Sequence, residues 1–357
     1  MKKRLSELDA LRGIAALLVV VFHINATYPI ANNNLVQGFV KFGITGVDLF
    51  FMISGFVILM TLEKTKSWKD FVLKRFARLY PTYWVCVSLT VLCAVIYLAV
   101  SHRSYAFILH QYLPNLTMFQ QYFGVPNIDD VYWTMLIEML FYGFMLFIFC
   151  IKKLKHIEWI AIIAMLPLFI YSSQYFRVHF PGYHHLLVTA LPIINYFPMF
   201  VMGIIYYKMK FDRPTPLRYI ALLLCILCQA SLYGNGLNVD LFLSFKDHVL
   251  ITVFYNLVFL LYVHDKLRFI VNKATLFIGN ISYPLYLIHY YISVNVIIPA
   301  LLGFNVPVLL ASAIAFIVSI ILATLISKFV EKPSIKFFRD KFHTADKLPA
   351  LPPVSLP

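Results

Sequence analysis

Arg12-Gly-Ile-Ala-Ala-Leu-Leu-Val-Val-Val-Phe-His23 sets a cation and an imidazole at the two ends of an otherwise apolar run. At about 100° per residue, the steps from 12 to 23 return to within roughly 20° of the start. Arg12 and His23 therefore share one stripe of one helix, ~16 Å apart along its axis. The apolar run around them, residues 8–28, is long enough to cross a bilayer. Ionisable groups inside a membrane helix are costly and face a protein interior or a watery cavity. The stripe predicts a polar site that reaches from one membrane face well into the bilayer.

The rest of the chain repeats the apolar theme. It is 61% hydrophobic and 13% charged, with a mean hydropathy of +0.80. That composition predicts an all-α, polytopic membrane protein. The spans are expected at 8–28, 42–62, 80–100, 131–151, 157–174, 187–207, 217–234, 246–264, 276–298 and 307–328. One membrane domain over 1–340 accounts for nearly everything, with a disordered tail over 341–357 that begins a proline-rich end. Neither an internal repeat nor an appended soluble domain is expected.

The net charge of +14 is not a nucleic-acid signal, because its distribution follows topology. With the N-terminus in the cytoplasm, 25 Lys and Arg fall on the cytoplasmic side and only Lys41, Arg103, Arg177 and Lys246 on the other. The positive-inside rule then puts both termini in the cytoplasm. An odd number of spans would ruin the alternation. The start, Met1-Lys2-Lys3-Arg4, has the charge of a signal peptide, but no convincing cleavage site follows and His23 sits inside the run, so an uncleaved helix is expected. Cys225 and Cys228 form a C-x-x-C inside an apolar span, where packing is the expected role.

Four spans bring an ionisable group to one expected depth. They are His23, Asp48 in Gly46-Val-Asp48-Leu-Phe-Phe, Glu138 in Trp133-Thr-Met-Leu-Ile-Glu138-Met-Leu-Phe-Tyr142, and His289 in Ile281-Ser-Tyr-Pro-Leu-Tyr-Leu-Ile-His289. An imidazole held in one tautomer by a neighbour acts as a general base near neutral pH. His23 is the candidate base, with Asp48 or Glu138 to orient it. His289 is expected to be structural or to line a substrate cavity. Trp133 and Tyr142 are candidate sugar contacts, and Gly46 and Gly55 read as close-packing positions. No metal-ligand spacing is evident.

The cytoplasmic face carries Lys74-Arg75-Phe-Ala-Arg78-Leu-Tyr-Pro81. Arg75 and Arg78 are three apart and share a helix face. Paired guanidinium groups suit phosphate, although topology and lipid headgroups also explain basic residues there. Arg12 is expected near that same face.

Taken in order, these motifs resemble the acyltransferase family 3 membrane proteins, over about residues 5–335. The resemblance rests on Leu8-Asp9-Ala-Leu-Arg12-Gly13 with His23, Gly46 to Phe56, Arg75 to Pro81, Trp133 to Tyr142, and Ile281 to His289. It implies transfer of an acyl group, commonly acetyl from acetyl-CoA, to a hydroxyl of a carbohydrate. The implied acceptor is an envelope glycan such as lipopolysaccharide O-antigen, free or lipid-linked, and the implied setting a bacterial plasma (inner) membrane. It also implies His23 as the catalytic residue, with Arg12, Arg75 and Arg78 at the donor. Some relatives carry a fused extracytoplasmic domain; this chain is expected to be the stand-alone form. The rival reading is a transporter or flippase for a lipid-linked sugar or small solute, since intramembrane charges and ten spans fit a carrier as well.

Overall fold

The computed structural model describes residues 5–29, 34–235 and 238–343. Among them the chain forms helices and no strand. The helices used below are α1 (Ser6–Thr27), α2 (Gly46–Leu62), α3 (Trp68–Val100), α4 (Trp133–Cys150), α5 (Ile157–Met165), α6 (Phe197–Phe211), α7 (Pro216–Ser231), α8 (Phe245–Val263), α9 (Lys273–Tyr290) and α10 (Val308–Ile326). Among the described residues, eight helical stretches are long and apolar enough to cross a membrane. The sixth and seventh expected spans are shorter. α6 has 15 residues and α7 has 16. The helix that precedes ends at Leu191, and the chain restarts at Pro192 and again at Phe197, with Pro198 in the first turn of α6, because proline tolerates a helix start but not its interior.

Helix ends follow local chemistry. Ser67, Thr215, Ser244 and Asn272 each accept a first-turn amide, starting α3, α7, α8 and α9. The expected tail from 341 lies outside the described residues, save that positions 341–343 finish the helix Lys332–His343. Lys2, Lys3 and Arg4 lie outside them too.

Two glycine contacts set the interior. A Cβ on Gly13 would stand 2.4 Å from the Thr275 carbonyl oxygen, and one on Gly279 would stand 2.1 Å from that of Asp9. α1 and α9 therefore touch backbone to backbone. They run parallel, since Asp9 meets Gly279 while His23 meets His289 further along. Gly55 of α2 and Gly203 of α6 make a second such contact. Small residues let membrane helices approach this closely. Parallel neighbours distant in sequence need an odd number of crossings between them, which the first and ninth of the expected spans satisfy.

One face of the bundle collects the ion pairs Lys208–Glu63, Arg218–Glu158, Lys210–Asp265 and Arg268–Glu7. The other carries Lys41–Asp247. The first is the Lys-rich face assigned above to one membrane side. The long connection before α4 is folded rather than open: Asn115 holds Pro126 and Ile128, and Tyr122 donates to Ala190.

Candidate active site

α1 and α9 bring His23 and His289 together, with His289 Nε2 3.2 Å from His23 Nδ1. His23 Nδ1 also lies 2.9 Å from the Val19 carbonyl oxygen. His289 Nδ1 lies 2.7 Å from the Tyr286 carbonyl oxygen. A carbonyl only accepts, so both rings carry their proton on Nδ1. The His23 Nδ1–H is then shared between Val19 and the lone pair of His289. That leaves the lone pair on His23 Nε2, the arrangement a general base needs. His289 is fully buried and His23 half-buried. Tyr290 closes on His23 with ring centroids 4.9 Å apart.

The carboxylates expected to orient His23 lie elsewhere. Glu138 accepts from the Tyr142 hydroxyl and, at 3.5 Å, from Ser54. Asp48 is buried in the first turn of α2, and its Oδ2 has no hydrogen-bond partner. A histidine, not a carboxylate, takes the orienting place. The reason is register: the α1–α9 glycine contact fixes which residue of α9 comes level with His23.

Tyr142 lies in the cationic group, beside Arg75 and Glu138. The Arg75 guanidinium lies 5.8 Å from the Tyr142 and Phe71 ring centroids and donates to Thr61 at 3.4 Å. Arg78 lies within electrostatic range of both Arg12 and Arg75, as does Glu138. Arg12 of α1 thus converges with Arg75 and Arg78 of α3. Arg12 Nε and Arg75 Nε are buried without a hydrogen-bond partner. Unpaired buried guanidinium donors suit an arriving anion, because a phosphate oxygen would satisfy them.

A cavity of about 60 Å³ lies beside this group, lined among others by Arg12, Ser54, Arg78, Glu138, Tyr283 and Tyr286. The Tyr286 ring also lies 5.7 Å from that of His289. Tyr286 therefore borders both the cavity that Arg12 and Arg78 line and His289. Trp133 is half-buried against Tyr196, with ring centroids 5.2 Å apart, and stands outside this lining.

Sequence reading missed two carboxylates. Glu331 sits in the field of Arg78 and Arg12 and accepts from Ser327 at 2.9 Å. Asp129 is fully buried and accepts from the amides of Val131 and Tyr291, at 3.2 and 2.9 Å. Tyr291 opens a π-helical segment, Tyr291–Ile297, directly after His289. Such segments leave backbone donors short of partners and often mark functional sites. The Asp129-Asp130 pair just before an apolar span was the available signal.

The profile of an acyltransferase domain family matches residues 5–328. The chain belongs to this acyltransferase family. Relatives include the peptidoglycan O-acetyltransferase OatA of Listeria monocytogenes, 29% identical over 40% of this chain and 23% of its own length. A protein named as a candidate acetyltransferase in Acidianus two-tailed virus is 24% identical over 86% of each chain. One named as a candidate O-acetyltransferase in Staphylococcus aureus strain COL is 27% identical over 79% of this chain and 50% of its own length. The chain thus spans a quarter to a half of the length of the bacterial relatives it matches. No solved structure matches it. As a family member, the chain carries the arginine group at one end of α1 and the histidine pair towards the other.

Proposed function

We propose that this acyltransferase moves an acyl group, acetyl in the first instance, from cytoplasmic acetyl-CoA to a hydroxyl of an envelope carbohydrate at the opposite membrane face. Lipopolysaccharide O-antigen is the leading acceptor class, and a bacterial inner membrane the setting. The observation that carries this reading is the unsatisfied Arg12 donor, grouped with Arg75 and Arg78 of α3, on the same helix as a base of defined tautomer. Roughly 16 Å along α1 separates Arg12 from His23, a distance for the flexible arm of the thioester to bridge.

The chemistry follows from the tautomer. His23 Nε2 takes the proton of the acceptor hydroxyl as its oxygen attacks the thioester carbonyl. The tetrahedral centre collapses, the C–S bond breaks, and the thiolate leaves, taking the proton from His23. The charged ring is steadied by its Nδ1–H, which the His289 lone pair and the Val19 carbonyl both accept, as the third group of a triad steadies its base. His289 is neutral, so the support is a hydrogen bond and not an ion pair.

The test is glycan O-acetylation by mass spectrometry in a deletion strain complemented at matched membrane levels. Wild type should restore the acetyl mass, while His23→Ala and Arg75→Ala should not. Equal restoration by His23→Ala would remove the base from the mechanism. An unchanged acetyl pattern on deletion, with altered export of a lipid-linked sugar, would favour the carrier reading instead.

A further inference from the structure

Asp129 takes no part in the proton transfer at His23, yet it is a fully buried carboxyl group close to the histidine pair. Among the described residues, no Lys, Arg or His forms an ion pair with it. Its partners are two backbone amides, one on each oxygen. Oδ1 accepts from Val131 at 3.2 Å and Oδ2 from Tyr291 at 2.9 Å. The first bond is an ordinary helix cap, because Asp129 precedes the short helix Asp130–Tyr132 that leads into α4. A cap uses one oxygen. The second oxygen crosses to the chain just beyond His289, at the end of α9.

The Tyr291 amide has a place of its own in the helix. In an α-helix it would donate to the Leu287 carbonyl, and in a π-helix to the Tyr286 carbonyl. α9 ends at Tyr290, and the π-helical segment Tyr291–Ile297 follows. Asp129 takes the amide at this junction. The Tyr286 carbonyl instead receives His289 Nδ1, 2.7 Å away. Hydrogen on Nδ1 puts the lone pair on Nε2, and that lone pair faces His23 Nδ1 at 3.2 Å. Asp129 and His289 thus divide between them one amide and one carbonyl that a regular π turn would join.

The strap that carries Asp129 grips α9 on the near side of His289 as well. The Tyr286 hydroxyl accepts from Thr134 at 3.1 Å and donates to the Val131 carbonyl at 3.3 Å. Asp130 engages the side chain of Tyr290, whose ring lies against His23. Residues 129–134 therefore hold the chain at Tyr286 before His289 and at Tyr291 after it. The strap itself is anchored. Tyr132 is fully buried against Tyr83, with ring centroids 5.2 Å apart, and Asn115 accepts from the Ile128 amide at 3.0 Å.

We propose that Asp129 is the positioning residue of the histidine pair: by drawing the Tyr291 amide out of the helix it reserves the Tyr286 carbonyl for His289, and so holds His289 in the tautomer and rotation that accept from His23. This rests on the acyl-transfer reading above, in which His23 is the base, and deepens it. The task requires two accepting oxygens. An asparagine of the same shape offers one, and its NH2 would face an N–H. Once released, the Tyr291 amide competes for the Tyr286 carbonyl. His289 then loses its fixed hydrogen, and an N–H turns towards His23 where a lone pair is needed.

The test uses full-length protein in nanodiscs. Diethyl pyrocarbonate modifies a neutral imidazole at its free nitrogen, so the His23 peptide, followed by mass spectrometry, reports the state of the base without turnover. Asp129→Asn should slow modification of His23 about three-fold, to the rate of His289→Ala, since both remove the acceptor from His23 Nδ1. Acetyl transfer from acetyl-CoA to glycan isolated from the deletion strain supplies the second readout. Asp129→Asn should lower kcat about ten-fold and leave KM for acetyl-CoA within about two-fold. Added to His289→Ala it should change kcat by less than about two-fold, because a residue that acts through His289 then has nothing left to position. Tyr286→Phe removes the hydroxyl anchor and keeps the ring. It is the milder variant should Asp129→Asn fold poorly, and it should slow His23 in the same direction and add nothing to His289→Ala.

Modification of His23 at the wild-type rate in Asp129→Asn, with a lowered melting temperature, would make the carboxyl group a cap alone and overturn the inference. Losses that multiply in the double variant overturn it too. Wild-type protein that transfers no acetyl brings down the acyl-transfer reading by itself. The modification rates then decide the positioning: a slower His23 in Asp129→Asn upholds it, and an unchanged one overturns it.

Discussion

His289 receives the hydrogen that His23 Nδ1 offers, at 3.2 Å, and this contact gives it a role that its sequence neighbourhood of Tyr and Leu did not suggest. Loss of a hydrogen bond to a charged group costs about 1.5–3 kcal/mol. His289→Ala should therefore lower kcat by about 10- to 100-fold, measured with purified enzyme in nanodiscs at saturating donor. His289→Gln, which keeps an acceptor, should retain more activity than Ala. Equal rates for wild type and His289→Ala would show that the pair is only packing. Asp129 gives a second prediction. Burial pushes its carboxyl up to about 7 from an ordinary 3.8. The folded chain holds a proton there that the unfolded chain has released. Between those values the folded state binds more protons, so this group's contribution to stability declines as pH rises from about 4 to about 7. Thermal unfolding at pH 5 and pH 8 should show wild type losing more stability than Asp129→Asn across that interval. Parallel losses would place no titration at Asp129.

Helix packing decides which residues can meet. α1 and α9 touch where Gly13 faces the Thr275 carbonyl and Gly279 faces that of Asp9, so an added methyl collides with backbone, which cannot step aside as a side chain does. Gly13→Ala should push the helices apart, cost about 1–3 kcal/mol, and misalign His23 from His289. Thermal stability and acyl transfer should fall together. Gly143 is the internal comparison. A Cβ there meets nothing within 4 Å, so Gly143→Ala should be neutral or gain up to about 1 kcal/mol from helix propensity. Matching melting temperatures for Gly13→Ala and wild type would contradict the close contact. The same reasoning explains the sixth and seventh spans. Apolar composition made 187–207 resemble one continuous helix, but Pro192 and Pro198 restart the chain within it. Hydropathy sums side chains and is blind to a missing amide.

At the scale of the whole molecule, the Lys-rich face holds the ends of α2 and α6 and the starts of α3, α5, α7 and α9, tied by ion pairs such as Arg218–Glu158 at 2.7 Å. Exposed Cys150 lies on that face. A membrane-impermeant maleimide should therefore label it in inverted membrane vesicles and not in intact spheroplasts. Labelling from the outside alone would reverse the orientation drawn from the positive-inside rule.

The sequence by itself determined the class and the membrane character and put forward the three arginines and His23 as candidates, because each depends on what a residue is and how far along the chain its partner lies. Helical periodicity alone put Arg12 and His23 on one stripe, and Arg75 and Arg78 on one face. Only the tertiary structure decided that His289 and not Asp48 or Glu138 stands beside His23, that Glu138 and Tyr142 join the arginines, and that Asp129 and Glu331 enter the interior. Those relations are set by the register and rotation of helices packed against one another. A shift of one residue turns a side chain by about 100°, so a depth shared by four groups leaves their contacts open. What fixes the rotation is the absence of four side chains, at Gly13, Gly279, Gly55 and Gly203, where two backbones meet.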